Sequence, residues 1–557
     1  MTGALAQLRP VATRRLWPLW LLALAAAPVA FIVVQFVRTN RNIAFWDEYN
    51  LLALLLRLDA GMTWRDLVAQ LFQLDSEHRT VTSRLIGAVS YWVSGGVNFS
   101  VIAVIGNLCF VGLCAILVVC VGSTERRVRL AVLLGFGLFH LEHYETFLWS
   151  GASIDHFQIL LLAGGAFAAL ARGTRGSAIG AGLLALLATF TLAHGCVVWL
   201  VGAAQLGSAR RWRELAGWGA LAAAALAVFF YGFEIHAAHR ITDFSAAGLA
   251  RLGRFWLALL GGPLTFGVRH LAPGFGLALL LLLGWVGARG AWKSEPVVMP
   301  FTLFTVASLG LVAFGRLEVS GDQIQSRYLV LGSLAWTLTA FMALERLTDA
   351  ARPFRLLAWC LPGLAAFNVA ANLAAAHDAE TFVFSRDYPA VRFKQYGEEG
   401  HAGPFRLHPD EGAAKAILAQ TTARGIYRLP RFCDLTAVSP TQSNPNMVTY
   451  VTDLTADQRA VGFEGWAMLP HEKSRPGQIH VVLRSAKSFL VFSTFPVARP
   501  DVAKAFKEPL WRHCGYNFVI LRTLLPAERF QIGLLIARGD TAELKMTDQY
   551  VNLAADE

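Results

Sequence analysis

The first 376 residues of this 557-residue chain hold only one of its eight lysines, Lys293, and their long apolar runs are nearly free of ionisable residues at their centres. Ion and proton carriers place such groups near the bilayer midplane. Their scarcity favours chemistry at a membrane boundary over transport of that kind. There is no phosphate-binding loop of the GxxxxGK[ST] type and no dinucleotide fingerprint, and glycine pairs such as Gly95-Gly96 stand in an apolar context. Cysteine is sparse, and five of the seven, Cys109, Cys114, Cys120, Cys196 and Cys360, fall in apolar runs where a thiol behaves as a small hydrophobe. Cys433 and Cys514 remain, and an oxidising compartment would permit a bridge between them.

What is abundant is apolar: 55% of residues are hydrophobic and the mean hydropathy is +0.47, more than a soluble fold can bury. Lys plus Arg exceed Asp plus Glu by 49 to 38, which in this setting reports charged loops and not a nucleic-acid partner. A spanning helix needs about 20 apolar residues. Runs that qualify are 16–37, 98–121, 129–147, 157–171, 215–233, 272–289, 297–315, 328–345 and 356–375. The run 176–208 is too long for one pass and is broken by His194-Gly195, so it is read as two, giving about eleven passes. Arg9, Arg14 and Arg15, the group at 126–129, Arg172 and Arg175, the group at 210–213, Arg289 with Lys293, and the group at 346–355 then all fall on one side. Retention of positive loops in the cytoplasm puts the N-terminus inside, with the C-terminal part extracytoplasmic across a plasma membrane.

The expected architecture is a polytopic helical membrane domain over 1–375 with a long first outer loop at 38–97. A mixed linker with one helix near Ala413–Thr422 fills 376–440. Runs at Ile479–Leu483, Phe489–Ser493, Asn517–Leu521 and Phe530–Ile536 make 441–557 a mostly-β domain of β-sandwich or jelly-roll type. Its Gly465-Trp466-Ala467 and Gly515-Tyr516-Asn517-Phe518 resemble glycan-handling modules, which suggests binding of an acceptor glycan.

The ionisable residues collect at the expected outer boundary. Phe45-Trp46-Asp47-Glu48-Tyr49 follows the first span, an amphipathic stretch 51–74 suits an interfacial helix, and Glu77-His78-Arg79 and Arg84 come next. His140, Glu142, His143 and Glu145, then Trp149, Asp155, His156 and Gln158, and the segment from Arg316 to Arg327-Tyr328 reach the same face. Adjacent carboxylates at an apolar boundary raise the pKa of one of the pair, which suits Asp47 or Glu48 to take a hydroxyl proton. Arg79, Arg84, Arg316 and Arg327 offer fixed positive charge for a phosphate leaving group, though Arg79 and Arg84 suit lipid headgroups equally well. Glu77, His78, Trp149, His156, Gln158 and Tyr328 are candidates to contact the acceptor or substrate. The His140 to Glu145 group has the donors for a divalent cation, but interfacial hydrogen bonding fits it better, and no metal ligand is assigned.

The basic N-terminus, Asp47-Glu48 just beyond the first span, the interfacial stretch and some ten further spans resemble the GT-C superfamily of membrane glycosyltransferases. That superfamily includes protein mannosyltransferases and aminoarabinose transferases. The resemblance covers about residues 1–375. It implies a polyprenyl-phosphate sugar as donor, Asp47 as base, Glu48 as its neighbour in placing the acceptor or a cation, and Arg79 and Arg327 as phosphate ligands. It also implies transfer to a cell-envelope glycan, lipid or protein. The chain departs from the family in its Trp-Asp-Glu-Tyr setting and its short fourth span, which leaves donor and acceptor open. The competing reading is an exporter or polymerase of polysaccharide or lipid-linked oligosaccharide; a membrane-anchored glycan-binding protein ranks third.

Overall fold

The computed structural model describes residues 9–75, 77–234, 241–320, 323–348, 354–396, 407–430, 443–456, 460–470, 477–522, 525–538 and 541–553. The chain is mostly helical, with an all-sheet region at its C-terminal end. It divides into two compact units, one of residues 1–384 with 412–428, the other of 385–411 with 429–557.

Among the described residues the first unit has eight helices long and apolar enough to cross a membrane: Leu19–Thr39, Phe99–Val119, Ser150–Arg172, Trp212–Phe230, Arg269–Ala288, Val298–Ser320, Ser326–Leu347 and Arg355–Asp387. The helix Phe99–Val119 shows why such elements need lipid. Asn98 caps its start by accepting the N–H groups of Ser100 and Val101. Phe99, Ile102, Ala103, Gly106, Phe110, Leu113 and Leu117 are buried at helical spacing, whereas Val101, Val104, Leu108 and Val111 on the other side are exposed. An apolar stripe on each face is stable where one neighbour is protein and the other hydrocarbon. Gly106 lets this helix meet Ser150–Arg172 closely: a Cβ there would stand 2.6 Å from the Ser153 carbonyl carbon.

At the far end of the helix Ser326–Leu347 from Arg327, two arginines of the 126–129 group enter ion pairs, Arg129 buried and Arg126 half-buried. Arg129 Nε lies 2.6 Å and Arg126 Nε 2.7 Å from the two oxygens of Glu345, and Arg126 also pairs with Glu295. Three segments distant in sequence are thereby tied together where an isolated charge would be costly.

Several boundaries differ from those expected. The stretch 129–147 is not one helix: Thr124–Leu138 ends before a short turn at Leu141–His143 and a helix at Tyr144–Leu148. His194 lies in a 3₁₀ turn, Ala193–Cys196, between Arg175–Thr189 and Val197–Ser208, as the break in the apolar run indicates. Arg316 is not in a loop but on the last turns of Val298–Ser320. A helix at Ala246–Gly261, capped by Ser245, lies outside the expected spans.

Among the described residues of the second unit, eight strands, β1 (Val448–Ala456), β2 (Ala460–Met468), β3 (Gln478–Arg484), β4 (Phe489–Ser493), β5 (Phe495–Val497), β6 (Gly515–Leu521), β7 (Arg529–Arg538) and β8 (Thr541–Asn552), form two four-stranded sheets. Their orders are β1-β2-β6-β5 and β4-β3-β7-β8, with every pairing antiparallel. Val461, Phe463 and Phe518 of the first sheet share one apolar core with Ile479, Val481, Phe530 and Ile532 of the second, as in packed sheets whose inner faces interdigitate. Cys514 is buried beside Met468, Val502 and Trp511; Cys433 lies outside the described residues.

Candidate active site

Ten of the twelve residues singled out above line one cavity of about 610 Å³ in the first unit: Asp47, Glu48, Glu77, His78, Arg84, Trp149, His156, Arg316, Arg327 and Tyr328. Arg79 and Gln158 do not.

The approach to Asp47 is built by its neighbour. After the helix Arg9–Thr39 the chain runs without regular structure to Phe45, Trp46 turns it with a φ of 53°, and a new helix starts at Glu48. Glu48 is 5% exposed. Its Oε2 accepts the Phe45 N–H (2.8 Å), and its Oε1 accepts the Gly151 N–H (2.7 Å) and the Ser150 hydroxyl. Such charge-assisted bonds pin the loop to the start of Ser150–Arg172. Glu48 therefore anchors the loop, where it was expected to place the acceptor. Asp47, one residue earlier, is exposed and lines the cavity.

The second wall comes from the loop after Leu74. Asp75 and His78 exchange backbone hydrogen bonds of 2.9 and 2.8 Å, a tight turn that presents Glu77 and His78. His78 Nδ1 accepts the Ala193 N–H (3.3 Å), which leaves Nε2 as the donor of a neutral ring. Burial, together with Arg316, His194 and Arg327, holds His78 neutral by lowering its pKa to about 3.

The arginines divide by employment. Arg79 donates through Nε to the Phe229 carbonyl (2.8 Å) and through its other nitrogens to those of Phe72 and Tyr231. It clamps the loop to the end of Trp212–Phe230 and is not presented as a phosphate ligand. Arg84 lines the cavity while donating to the carbonyls of Gln73 (2.5 Å), Gln70 and Leu71 (both 3.2 Å). Arg316 and Arg327 carry more freely placed charge. Arg316 is 3.8 Å from Glu77. Arg327 is 3.6 Å from Glu145, and its guanidinium carbon stands 5.9 and 5.3 Å from the ring centres of Trp149 and Tyr328.

Asp155, Asp75, Asn50 and His194 also line the cavity. Asp155 lines it and accepts a hydrogen bond from the Ser83 hydroxyl, and Asp75 and Asn50 line it joined by a 3.1 Å bond. His194 lines it with its Nε2 buried and unpartnered, its ring 6.2 Å from that of His156. An ionisable residue in the middle of an apolar run was the available signal for His194. The remaining wall is apolar: Leu200, Phe229, Phe230, Phe233, Leu311 and Phe314 line it. Leu200 and Phe230 are 70% and 53% exposed on the surface of the helical unit. One chamber thus joins a charged end to an apolar flank.

The histidines at 140 and 143 do not reach it. Their rings lie 4.4 Å apart with His140 Nδ1 3.9 Å from Glu142, and both are completely buried. Gln158 is likewise turned into the protein, its Oε1 buried without a partner. Among the described residues no group of three or more His, Cys, Asp or Glu side chains is arranged to hold a metal ion. No family model, curated protein or solved structure matches the chain.

Proposed function

We propose that the chain is a membrane glycosyltransferase of GT-C type that moves a sugar from a polyprenyl-phosphate donor to a cell-envelope glycan, lipid or protein. The observation that carries this reading is the union, in one cavity, of an exposed carboxylate, two arginines and an apolar flank. Each part matches one part of such a donor and its reaction: the prenyl chain suits the flank of Phe229, Phe230, Leu311 and Phe314, and the phosphate suits Arg316 and Arg327.

In the proposed step Asp47 takes the proton of the acceptor hydroxyl. The oxygen bonds to the anomeric carbon as the bond from that carbon to the donor phosphate oxygen breaks. The polyprenyl phosphate leaves with its negative charge opposite Arg316 and Arg327, held where the charge develops. His78, neutral and oriented by the Ala193 N–H, supplies an uncharged donor beside them. Glu48 holds the loop that carries Asp47.

The arginine distribution supports eleven passes with the N-terminus cytoplasmic, the shorter helices 124–138, 175–189 and 197–208 completing the eight long ones. That topology puts the cavity and the sheet domain on the outer side of the plasma membrane, where polyprenyl-phosphate sugars meet envelope acceptors. The test is transfer of radiolabelled sugar from extracted polyprenyl-phosphate donors to membrane glycans, in vesicles carrying the unaltered chain or Asp47→Asn at equal protein level. Loss of transfer in the variant supports the reading. Transfer unchanged by the substitution, or absent with every donor from the unaltered chain, favours a glycan exporter or polymerase.

A further inference from the structure

Residues 412–428 belong to the first unit, although the chain on either side of them, 385–411 and 429–557, makes the second. The helix Glu411–Ala423 is followed by Gly425 in the left-handed conformation (φ 72°), and the Ile426 N–H turns back to the Thr421 carbonyl (2.9 Å). The next residues lie against the backbone that leads into Asp47. Val97 N–H donates to the Ile426 carbonyl (2.8 Å). A Cβ at Gly96 would stand 2.6 Å from that oxygen, so the approach requires glycine. Asn42 bridges the two sides: its Nδ2 donates to the Arg428 carbonyl and its Oδ1 accepts the Phe99 N–H, each at 2.8 Å.

Tyr427 is the centre of this contact. It is 1% exposed, and its hydroxyl accepts the Ala44 N–H (3.0 Å) and donates to the Asn42 carbonyl (2.8 Å). Its ring lies 5.6 Å from that of Phe99, a residue of the cavity wall. The same segment also grips the far end of the helix that starts at Glu48. Arg424 pairs with Asp59 at 3.1 Å, and Tyr91 donates to the same carboxylate at 2.6 Å. Asp47 therefore sits between two points fixed by residues some 370 positions later in the chain, Ala44 by Tyr427 and Asp59 by Arg424, separations of 383 and 365.

We propose that residues 412–428 form a positioning strap for Asp47, with Tyr427 its positioning residue; the proposal rests on the assignment of Asp47 as the base. The stretch from Asn40 to Phe45 has no strand or helix of its own, so its course depends on bonds from elsewhere, and a base misplaced by about 1 Å loses roughly a hundredfold in rate. Tyr427→Phe keeps the ring on Phe99 and removes the hydroxyl with its bonds to Ala44 and Asn42. Gly96→Ala displaces the Ile426 carbonyl from the opposite side without touching Tyr427.

The test uses the full chain in lipid nanodiscs. Amide hydrogen exchange over 42–50 is read against the helix Ser326–Leu347, together with transfer kinetics. Expected in both variants is exchange about tenfold faster at 43–48 with the reference helix unchanged, and kcat lower by about tenfold with the donor KM within about twofold. Unchanged exchange at 43–48, an equal rise in the reference helix, or a loosened loop with unaltered kcat would each overturn the strap. If the unaltered chain transfers no sugar, the glycosyltransferase reading falls, and the exchange measurement still decides whether the strap holds the loop.

Discussion

Two groups of histidines and carboxylates stand in the first unit, made of the same residue types and both following an apolar run. Around Asp47, His78, Asp155 and His194 the backbone opens a chamber of about 610 Å³ with arginines at one end. Around His140, Glu142 and His143 the protein closes completely, so that both ring nitrogens of His143 are buried without a partner. The difference is access, not composition. A polar cluster can act on a ligand only where the surrounding helices leave room for one, and a sealed cluster instead carries the cost of its unmade hydrogen bonds.

The comparison is broken most directly at the open site. Asp47→Asn keeps size and removes the proposed base, and transfer from a polyprenyl-phosphate donor is expected to fall by about 10²- to 10⁴-fold. Transfer within a few-fold of the unaltered chain would leave the two clusters equivalent. Arg316→Gln and Arg327→Gln remove charge proposed to face the leaving phosphate, and each is expected to lower kcat by about 10²- to 10³-fold in the same assay. Arg79→Gln, which removes a clamp on three carbonyls, is expected instead to lower thermal stability in detergent.

The sealed cluster gives the opposite outcome. His143→Phe replaces a ring with two unpartnered nitrogens by an apolar ring beside Phe147, and stability is expected to hold or rise by about 1 kcal/mol with transfer unchanged. Loss of transfer in this variant would show that the buried group takes part after all. The smallest effect is one of pH. Burial, with Arg316 and His194 nearby, lowers the His78 pKa to about 3 in the folded chain from its ordinary 6.5. Between those values the unfolded chain binds the extra proton, so stability falls as pH falls through that window. In His78→Gln the thermal midpoint is expected to decline less steeply between pH 7 and pH 4.

Much of this arrangement was legible in the sequence because apolar run length and arginine placement are read residue by residue. Eight of the expected spans, the break at His194-Gly195 and the strands Ile479–Leu483 and Phe530–Ile536 follow from run length and periodicity, whereas the run 129–147 is divided. Ten of the residues that line the cavity were found by their unusual position at span ends. What each does was not legible, since it depends on partners distant in the chain. Glu48 and Asp47 are adjacent and chemically alike, and only the folded start of Ser150–Arg172 turns one into an anchor. Arg79 and Arg327 read alike until carbonyls at 229 and 231 occupy the first. The strap at 412–428 was legible only as a helix near Ala413–Thr422, because its role lies in bonds to residues 42–44 and 97, distant in the chain.

The apolar flank joined to the charged end is the basis for proposing a lipid-linked donor, and photolabelling reads that junction without requiring turnover. A polyprenyl phosphate carrying a benzophenone in its chain, irradiated with the full-length protein in nanodiscs, should label peptides containing Leu200, Phe229–Phe233 and Leu311–Phe314, with labelling competed by unlabelled polyprenyl phosphate and weakened in Arg316→Gln. Labelling that falls elsewhere on the helical surface, or that excess competitor leaves unchanged, would contradict the assignment of this cavity to a polyprenyl-phosphate sugar.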